Sequence, residues 1–371
     1  MISPCDPPAD PFRVYPLLNS GAQRLYRALG VLGVVWVSTD HAAAAMGVPW
    51  GDAAGLLQRL ADEGLLEPER DPAAVRVARY RIPPRVRGHA RALAQATEDS
   101  RREGARAVED GARWLLGCAD AARNILSPHQ GALARSLPDP LPVALPFDRA
   151  EPWDREAARW LEEQAENVLP HLDTLDQRGL YELCWRTADA LWPVFQRALV
   201  PAQVSQQAHL IALGAARQCN HRDAVRQLLL SGAIVHAAAG EVDSAYGWYT
   251  SALLEARGGE GAAVLGERAW RDEAQALLGL AGLRFAEGRA DLAQGLAESA
   301  LDLWSAVEER RGCGLARILL GQCAASRGEQ QEALGLFTAA GKDLEAEGDR
   351  YHAARARRAA AAGSGTPPST A

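Results

Sequence analysis

The chain has 371 residues, of which 48% are hydrophobic and 23% are charged, and its formal net charge is −7. A chain of this length is expected to form two or three domains. The negative charge argues against a surface built throughout for nucleic acid or acidic membranes, although it leaves local basic patches possible. Leu and Ala dominate and strand-like alternation is rare, so we expect an all-α fold.

Cysteine usage and the N-terminus predict a cytoplasmic protein. The six cysteines form no C-x-x-C pair and mostly occupy apolar helical positions, as reduced thiols do. Residues 1–19 carry five prolines but neither a basic start nor an apolar run, so we expect a flexible N-terminus and no signal peptide. The longest apolar stretch, Val31 to Val37, is too short to cross a bilayer, and we predict no membrane partner.

Residues 20–98 are predicted to form a small winged-helix-like domain. Apolar spacing indicates three short helices, the second with polar N-caps and the third ended by Gly64. Two short runs then predict the antiparallel strands of a β-hairpin. The expected bounds are helices over 21–32, 38–46 and 50–64, and strands over 65–67 and 76–82.

Residues 99–152 are predicted to be a helical link followed by a Pro-rich strap. Pro83 and Pro84 begin a helical stretch that continues to about Leu126, with an interruption near Asp99. Six prolines between residues 127 and 152 exclude a helix there. We therefore expect a domain boundary before residue 153.

The C-terminal half, residues 153–360, is predicted to form helical repeats, and an internal sequence repeat supports this. Loop glycines Gly240, Gly288 and Gly328 are 48 and then 40 residues apart. A small residue lies seven before, five after and twelve after each glycine, and the place nine after holds Tyr249, Ala297 or Phe337. These offsets match the tetratricopeptide pattern, so we predict a tetratricopeptide-like α-solenoid, with a disordered tail over 361–371.

The order of these segments resembles the C-terminal part of the actinobacterial STAND-type regulators, including the antibiotic regulatory proteins. The resemblance implies a winged helix, a helical link and tetratricopeptide repeats, in a regulator of transcription or secondary metabolism. About twenty residues precede the winged helix, so we expect the nucleotide-binding module to be lacking. The residues that carry the resemblance are 25–30, 56–60, 64–67, 80–81, 91–94, 160–161, 166–167 and 190–193.

No catalytic or cofactor-binding motif stands out. A P-loop needs G-x-x-x-x-G-K-[ST], and the single lysine, Lys342, is followed by Asp343 and has no glycine at the required distance. Pro83 and Pro84 stand where the resembled regulators carry a His-Asp nucleotide sensor. The sequence also has no H-E-x-x-H or G-x-S-x-G element. We predict a protein that is not an enzyme and binds no metal or cofactor.

The favoured function is binding of a protein or peptide partner in the groove of the repeats. Stacked helical hairpins expose one helix face per repeat as a continuous surface. By helical phase His236 and Arg284 occupy matching places one repeat apart, so we predict that both line the groove.

DNA binding is the alternative, with the winged helix on DNA and the repeats as a sensor. Seven arginines and one acidic residue lie between Arg70 and Arg91. A wing so charged is suited to a phosphate backbone, whereas the third helix carries acidic residues that suit base reading poorly. The predicted backbone contacts are Arg76, Arg79, Arg85 and Arg87.

Overall fold

The computed structural model describes residues 10–69, 79–128, 145–147, 153–258 and 266–363. These residues are almost wholly α-helical and include one small three-stranded sheet, which confirms the predicted fold class. The chain divides into two compact units, the first up to Cys219 and the second from Asn220. None of the described helices combines the length and apolarity needed to cross a bilayer.

The first unit begins with a helix–sheet subdomain in which short polar side chains start the helices. Asn19 accepts a hydrogen bond from the Ala22 backbone N–H at 2.8 Å, and Ser38 accepts one from His41 at 3.1 Å. The elements are α1 (Pro11–Val14), a 3₁₀ turn (Tyr15–Leu17), α2 (Ser20–Leu29), β1 (Trp36–Ser38), α3 (Thr39–Met46), α4 (Trp50–Asp62), β2 (Glu67–Pro68) and β3 (Arg79–Arg81).

The three strands pair antiparallel in the order β1-β3-β2. Tyr80 on the central strand lies opposite Val37 on one side and Pro68 on the other. The predicted hairpin corresponds to β2 and β3, whereas β1 was not predicted. Three residues are too few to show a strand period, and β1 exists because β3 offers it a hydrogen-bonding partner. The tip of the hairpin, residues 70–78, lies outside the described residues.

A layer of helices completes the first unit. Thr97 caps the longest of them by accepting a hydrogen bond from Ser100 N at 3.1 Å, which places the predicted interruption two residues earlier than expected. The helices are α5 (Pro84–Ala96), α6 (Glu98–Leu126), α7 (Trp153–Gln164), α8 (Val168–Gln177), α9 (Tyr181–Ala190), α10 (Trp192–Gln196) and α11 (Ala202–Gln218).

The division between the units does not coincide with the boundary expected before residue 153. Helices α7 and α9 pack directly on α6, and α11 packs on α8 and α9. A buried ion pair also joins Arg123 of α6 to Asp189 of α9. The helices over 153–218 therefore belong to the first unit. Most of the predicted Pro-rich strap, 129–144 and 148–152, lies outside the described residues.

The second unit is a run of antiparallel helical hairpins. The glycines predicted for the hairpin loops, Gly240, Gly288 and Gly328, have φ angles of 77°, 77° and 83°, a region that favours glycine. The helices are α12 (Arg222–Ala238), α13 (Val242–Arg257), α14 (Glu267–Ala286), α15 (Ala290–Ala306), α16 (Arg310–Ser326), α17 (Gln330–Ala346) and α18 (Arg350–Gly363).

Small residues let successive hairpins approach closely. The alanines five and twelve places after each loop glycine are buried. Gly279 lies under the Tyr249 ring and Gly321 under the Phe337 ring, and a Cβ on either glycine would come within 2.3 and 2.7 Å of those rings. The second unit is thus the tetratricopeptide-like solenoid that the offsets predicted.

Candidate partner-binding groove

The first helices of the hairpins form one side of the second unit. We call α12, α14, α16 and α18 the inner helices and α13, α15 and α17 the outer helices. Each inner helix contacts the next inner helix, whereas no comparable contacts join the outer helices in the described part of the chain. Because the more closely spaced row lies on the concave side of a curved array, the groove of this unit runs across the inner helices.

Helix α14 shows which residues face its neighbours. Towards α13, Glu273 accepts a hydrogen bond from Arg257 at 2.7 Å and Gly279 lies beneath Tyr249. Towards α15, Leu277 packs with Trp304 in one apolar cluster. Towards α12, the Asp272 carboxylate accepts a hydrogen bond from Arg226 at 2.7 Å. Burial raises the pKa of Asp272, and Arg226 and Arg268 oppose that shift.

One strip of α14 is open at its centre, although its edges meet neighbouring elements. Gln275 is half-buried, and a Cβ built on Gly282 meets no atom within 4 Å. By helical phase Arg271 and Leu278 lie on the same strip, Leu278 at the edge that packs towards α15 and α16. This strip is the part of α14 that is open to a partner.

A recurring ion pair fixes how the strip continues along the array. The Arg271 guanidinium lies 3.5 Å from the Glu309 carboxylate, and Arg311 lies 2.8 Å from Asp349, which is the same pair 40 residues later. We define the inner stripe as the matching residues of all four inner helices. It comprises Asp223, Gln227, Leu230 and Ile234 on α12, Arg271, Gln275, Leu278 and Gly282 on α14, Arg311, Leu315, Ile318 and Gln322 on α16, and Tyr351, Arg355, Arg358 and Ala362 on α18.

The acidic residues along one edge of the inner stripe are neutralised. Asp223, the single carboxylate among the stripe residues defined above, pairs with Arg226. Burial raises the pKa of Asp349, but hydrogen bonds from His352 and the nearby Arg311 outweigh it and hold that pKa below its usual range. The centre of the stripe is therefore apolar and amide in character, with Leu230 and Ile318 buried and Leu278 and Leu315 half-buried.

The two residues predicted for the groove lie on the flank that faces α13, not on the inner stripe. His236 is 8% exposed, its ring centroid lies 5.2 Å from that of Trp248, and its Nδ1 lies 2.8 Å from a Glu241 oxygen. The Arg284 guanidinium lies 4.7 Å from the Tyr246 ring centroid and donates to Glu287 at 2.9 Å. Both positions face an outer helix because they are offset from the strip by about half a helical turn.

Two of the arginines predicted to contact DNA are held in intramolecular bonds. Arg79 forms two hydrogen bonds with the Glu69 carboxylate, at 2.8 and 2.9 Å, and its side chain is 17% exposed. It also donates to the Glu163 carbonyl at 2.6 Å and lies over the Trp36 ring. The half-buried Arg87 donates to the Val34 carbonyl at 2.8 Å.

The other two predicted contacts are Arg85 and Arg76. Arg85 is exposed and lies 3.3 Å from an Asp10 oxygen, whereas Arg76 lies outside the described residues. On α4 the exposed Gln58 donates to Asp62 at 2.8 Å, and Arg59 lies 3.9 Å from Glu63. The outer face of α4 thus keeps its polar groups in local pairs.

Metal-binding residues do not cluster in the described ranges. Nowhere in them do three or more His, Cys, Asp or Glu side chains come together in a group that could hold a metal ion.

No family model and no curated protein matches the sequence. Among solved structures, BtubC (BKLC) from P. vanneervenii matches 57% of this chain and 94% of its own, with a TM-score of 0.39 and 16% identity. A Signal Transduction ATPase with Numerous Domains (STAND) protein with a tetratricopeptide repeat sensor, from Pyrococcus horikoshii, matches 95% of this chain and 55% of its own, with a TM-score of 0.27 and 12% identity.

Yeast Tom70 matches 93% of this chain and 82% of its own, with a TM-score of 0.28 and 13% identity. All three TM-scores and identities are low. The tetratricopeptide-like fold is therefore established by the geometry of this chain.

The inner stripe was not predicted, although the sequence carries a signal for one part of it. Ile234, Gly282 and Gln322 each lie six residues before a loop glycine, directly after the small residue that identified the repeat. The same alignment of glycines would have brought them together. The alignment does not show in which direction these three residues point, because both sides of an inner helix are partly apolar.

Proposed function

We propose that this protein is a non-catalytic interaction protein whose inner stripe binds a segment of another protein. The carrying observation is the open strip of α14, where a Cβ built on Gly282 meets no atom within 4 Å. Apolar and amide side chains without unpaired carboxylates suit burial of a peptide's side chains together with hydrogen bonding to its backbone. The regulatory role in transcription or secondary metabolism, implied by the resemblance, belongs to the same proposal.

A bulky residue at Gly282 tests the groove without disturbing the fold. Because a Cβ at Gly282 meets no atom within 4 Å, Gly282→Trp fills the groove, and replacing a helical glycine does not weaken the helix. Gly295 on the outer helix α15 is equally open, so Gly295→Trp is the matched control. The readout is affinity for peptides selected from a random dodecapeptide library displayed on phage and panned on the wild-type protein.

We expect Gly282→Trp to weaken binding of the selected peptides at least tenfold, and Gly295→Trp to leave it unchanged. Equal binding by both variants, or no enrichment of any peptide, would show that the inner stripe is not a partner site.

We propose only a weak, sequence-independent contact with DNA. Burial, and then the nearby Arg91 and Arg81, lowers the pKa of Arg87, which indicates concentrated positive charge on this side of the subdomain. With Arg79 and Arg87 held internally, the remaining phosphate contacts are Arg76 and the exposed Arg85, which exchanges its Asp10 partner for a phosphate. Two contacts give a slope of log K against log salt of about −2. Fluorescence anisotropy with a random-sequence duplex measures this slope, and a steeper slope or selection of one sequence contradicts the proposal.

A further inference from the structure

The inner stripe changes character at its last helix. On α14 and α16 its central residues are amide or apolar: Gln275, Leu278 and Leu315 are half-buried, whereas Ile318 is buried against α17 and α18. The corresponding places on α18 are Arg355 and Arg358, which follow Gln275 and Leu278 by 80 residues. The groove is therefore chemically asymmetric: its central residues are uncharged on α12, α14 and α16 and basic on α18.

The register that places these arginines on the stripe has independent support. On α18 Ala353 and Ala356 are buried and pack with Leu344 of α17 and Ile318 of α16 in one apolar cluster. They correspond to Glu273 and Ala276 of α14, the flank that faces the preceding outer helix. Arg355 and Arg358 consequently point away from α17 by the same helical phase that opens Gln275.

Both arginines are available to a partner. Each is exposed, and neither has an ion pair or hydrogen bond to another side chain within the ranges that the structure describes. Their neighbour Arg357 is different, because it pairs with Glu345 of α17. Elsewhere in the second unit Arg271, Arg284 and Arg311 are also paired. Two unpaired guanidiniums at the end of a groove without free carboxylates attract negative charge.

We infer that the groove takes an acidic, apolar segment of a partner protein, with its apolar side chains on α14 and α16 and its carboxylates on α18. This inference rests on the proposed function and names the chemistry of the partner. Guanidinium groups bind carboxylates through two parallel hydrogen bonds, so α18 sets the orientation of the bound segment. The apolar centre supplies affinity that does not depend on salt.

The test uses the dodecapeptides selected as above on the full chain. The enriched sequences should combine Leu, Ile or Phe residues with Asp or Glu residues near one end. A fluorescently labelled synthetic copy of the most enriched peptide is then titrated with the double variant Arg355→Glu, Arg358→Glu. Reversing two exposed charges is expected to weaken binding about ten- to a hundredfold and to remove its dependence on salt.

A matched double variant controls for net charge. Arg310 and Lys342 are exposed residues of the same unit that lie away from the inner stripe. Arg310→Glu with Lys342→Glu changes the charge equally and should leave affinity within about twofold. Unchanged circular dichroism of both double variants shows that the helices are intact.

The outcomes separate this inference from the proposed function. Peptides that are blocked by Gly282→Trp but lack acidic residues, or that bind the Arg355→Glu, Arg358→Glu variant as tightly as the wild type, overturn the inference and leave the groove standing. No enrichment at all overturns the proposed function as well. A 20-nucleotide single-stranded DNA that binds as tightly as the peptide, and is lost in the same double variant, would identify α18 as a phosphate-binding surface and also overturns the inference.

Discussion

Each of the two units of this chain is stabilised by its own kind of internal contact. In the first, single polar side chains tie together elements that are far apart in sequence, such as the Arg123–Asp189 pair between α6 and α9. In the second, small residues and ion pairs recur from one hairpin to the next, as in Arg271–Glu309 and Arg311–Asp349. A lost contact should therefore disturb much of the first unit but only neighbouring hairpins of the second.

Asn167 shows how specific the first kind of contact is. Its Oδ1 accepts hydrogen bonds from the backbone N–H groups of Val35 and Trp36, at 2.8 and 3.0 Å, and its Nδ2 donates to the Trp36 carbonyl at 2.9 Å. The carboxamide thus pairs with backbone groups at the edge of the sheet, as a neighbouring strand would, and covers that edge. Gly33 lies next to this contact, with a φ of 69° and Thr174 packed where a Cβ would stand.

Acid should distinguish the units most strongly. His41 and His171 are buried in the first unit, and the His41 ring stacks on Trp114 with centroids 5.4 Å apart. Burial, then the neighbouring His171, lowers the pKa of His41 to about 3. Burial lowers the pKa of His171 to about 4, which the Leu32 carbonyl partly opposes.

The direction in which pH changes stability follows from the pKa of histidine in the unfolded chain, which is about 6.5. Since both folded pKa values lie below it, their contribution to stability is complete above about pH 6.5 and is lost as the pH falls towards 4 and 3. At about pH 4.5 the loss is about 5 kcal/mol for the two histidines together. Hydrogen exchange followed by mass spectrometry should show loss of protection in α3, α6 and α8 at that pH.

The second unit is the internal reference for this experiment. There burial lowers the pKa of His352, but Asp349 opposes the shift, so protection of α14 to α17 should change much less. His171→Phe removes one titrating group and should reduce the pH dependence of the first unit by about half, whereas His352→Gln should leave it unchanged. Equal acid sensitivity of the two units would refute the comparison.

Removal of the Asn167 carboxamide should have the next largest effect. Asn167→Leu leaves three backbone groups of Val35 and Trp36 without partners, and each unpaired group that is shielded from water costs about 1–3 kcal/mol. We expect the free energy of unfolding to fall by about 3 kcal/mol or more, measured by urea denaturation, with exchange protection lost first at residues 34–38.

A graded variant separates hydrogen bonding from packing. Asn167→Asp keeps the oxygen that accepts from Val35 and Trp36 and loses the donor to the Trp36 carbonyl. Its effect should lie between those of the wild type and Asn167→Leu. If the two variants are equally stable, the hydrogen bonds to β1 are not what holds this edge.

The smallest effects concern two glycines of α14 that lie three residues apart. A Cβ on Gly279 would come within 2.3 Å of the Tyr249 ring, whereas one on Gly282 meets open space. We expect Gly279→Ala to destabilise α13 and α14 by about 1–3 kcal/mol through overpacking. Gly282→Ala should stabilise the same hairpins by about 0.5–1 kcal/mol, because alanine favours the helix.

Thermal unfolding followed by circular dichroism ranks the two variants, and hydrogen exchange shows how far each effect spreads. Gly279→Ala should lower protection in α13 to α15 and leave the first unit unchanged. Destabilisation by Gly282→Ala would mean that the strip of α14 is not open, and the groove would lose its main support.

The sequence by itself determined the local features of both units. Ser38 at a helix start, the loop glycines, and the offsets of Ala245 and Ala293 predicted the helices and the hairpin array. These features depend on residues only a few places apart, or on a period that repeats along the chain. They can therefore be read without knowing what lies across the fold.

Tertiary structure alone decided the rest. The strand β1 exists because β3 and Asn167 offer it partners 41 to 131 residues away along the chain. The sequence predicted Arg79 as a phosphate contact, whereas in the fold its guanidinium donates to the Glu69 carboxylate and the Glu163 carbonyl. Arg284 faces α13 and Gly282 faces the groove because of where the neighbouring helices pack. Helical phase fixes the angle between those two residues, and only long-range packing decides which of them meets solvent.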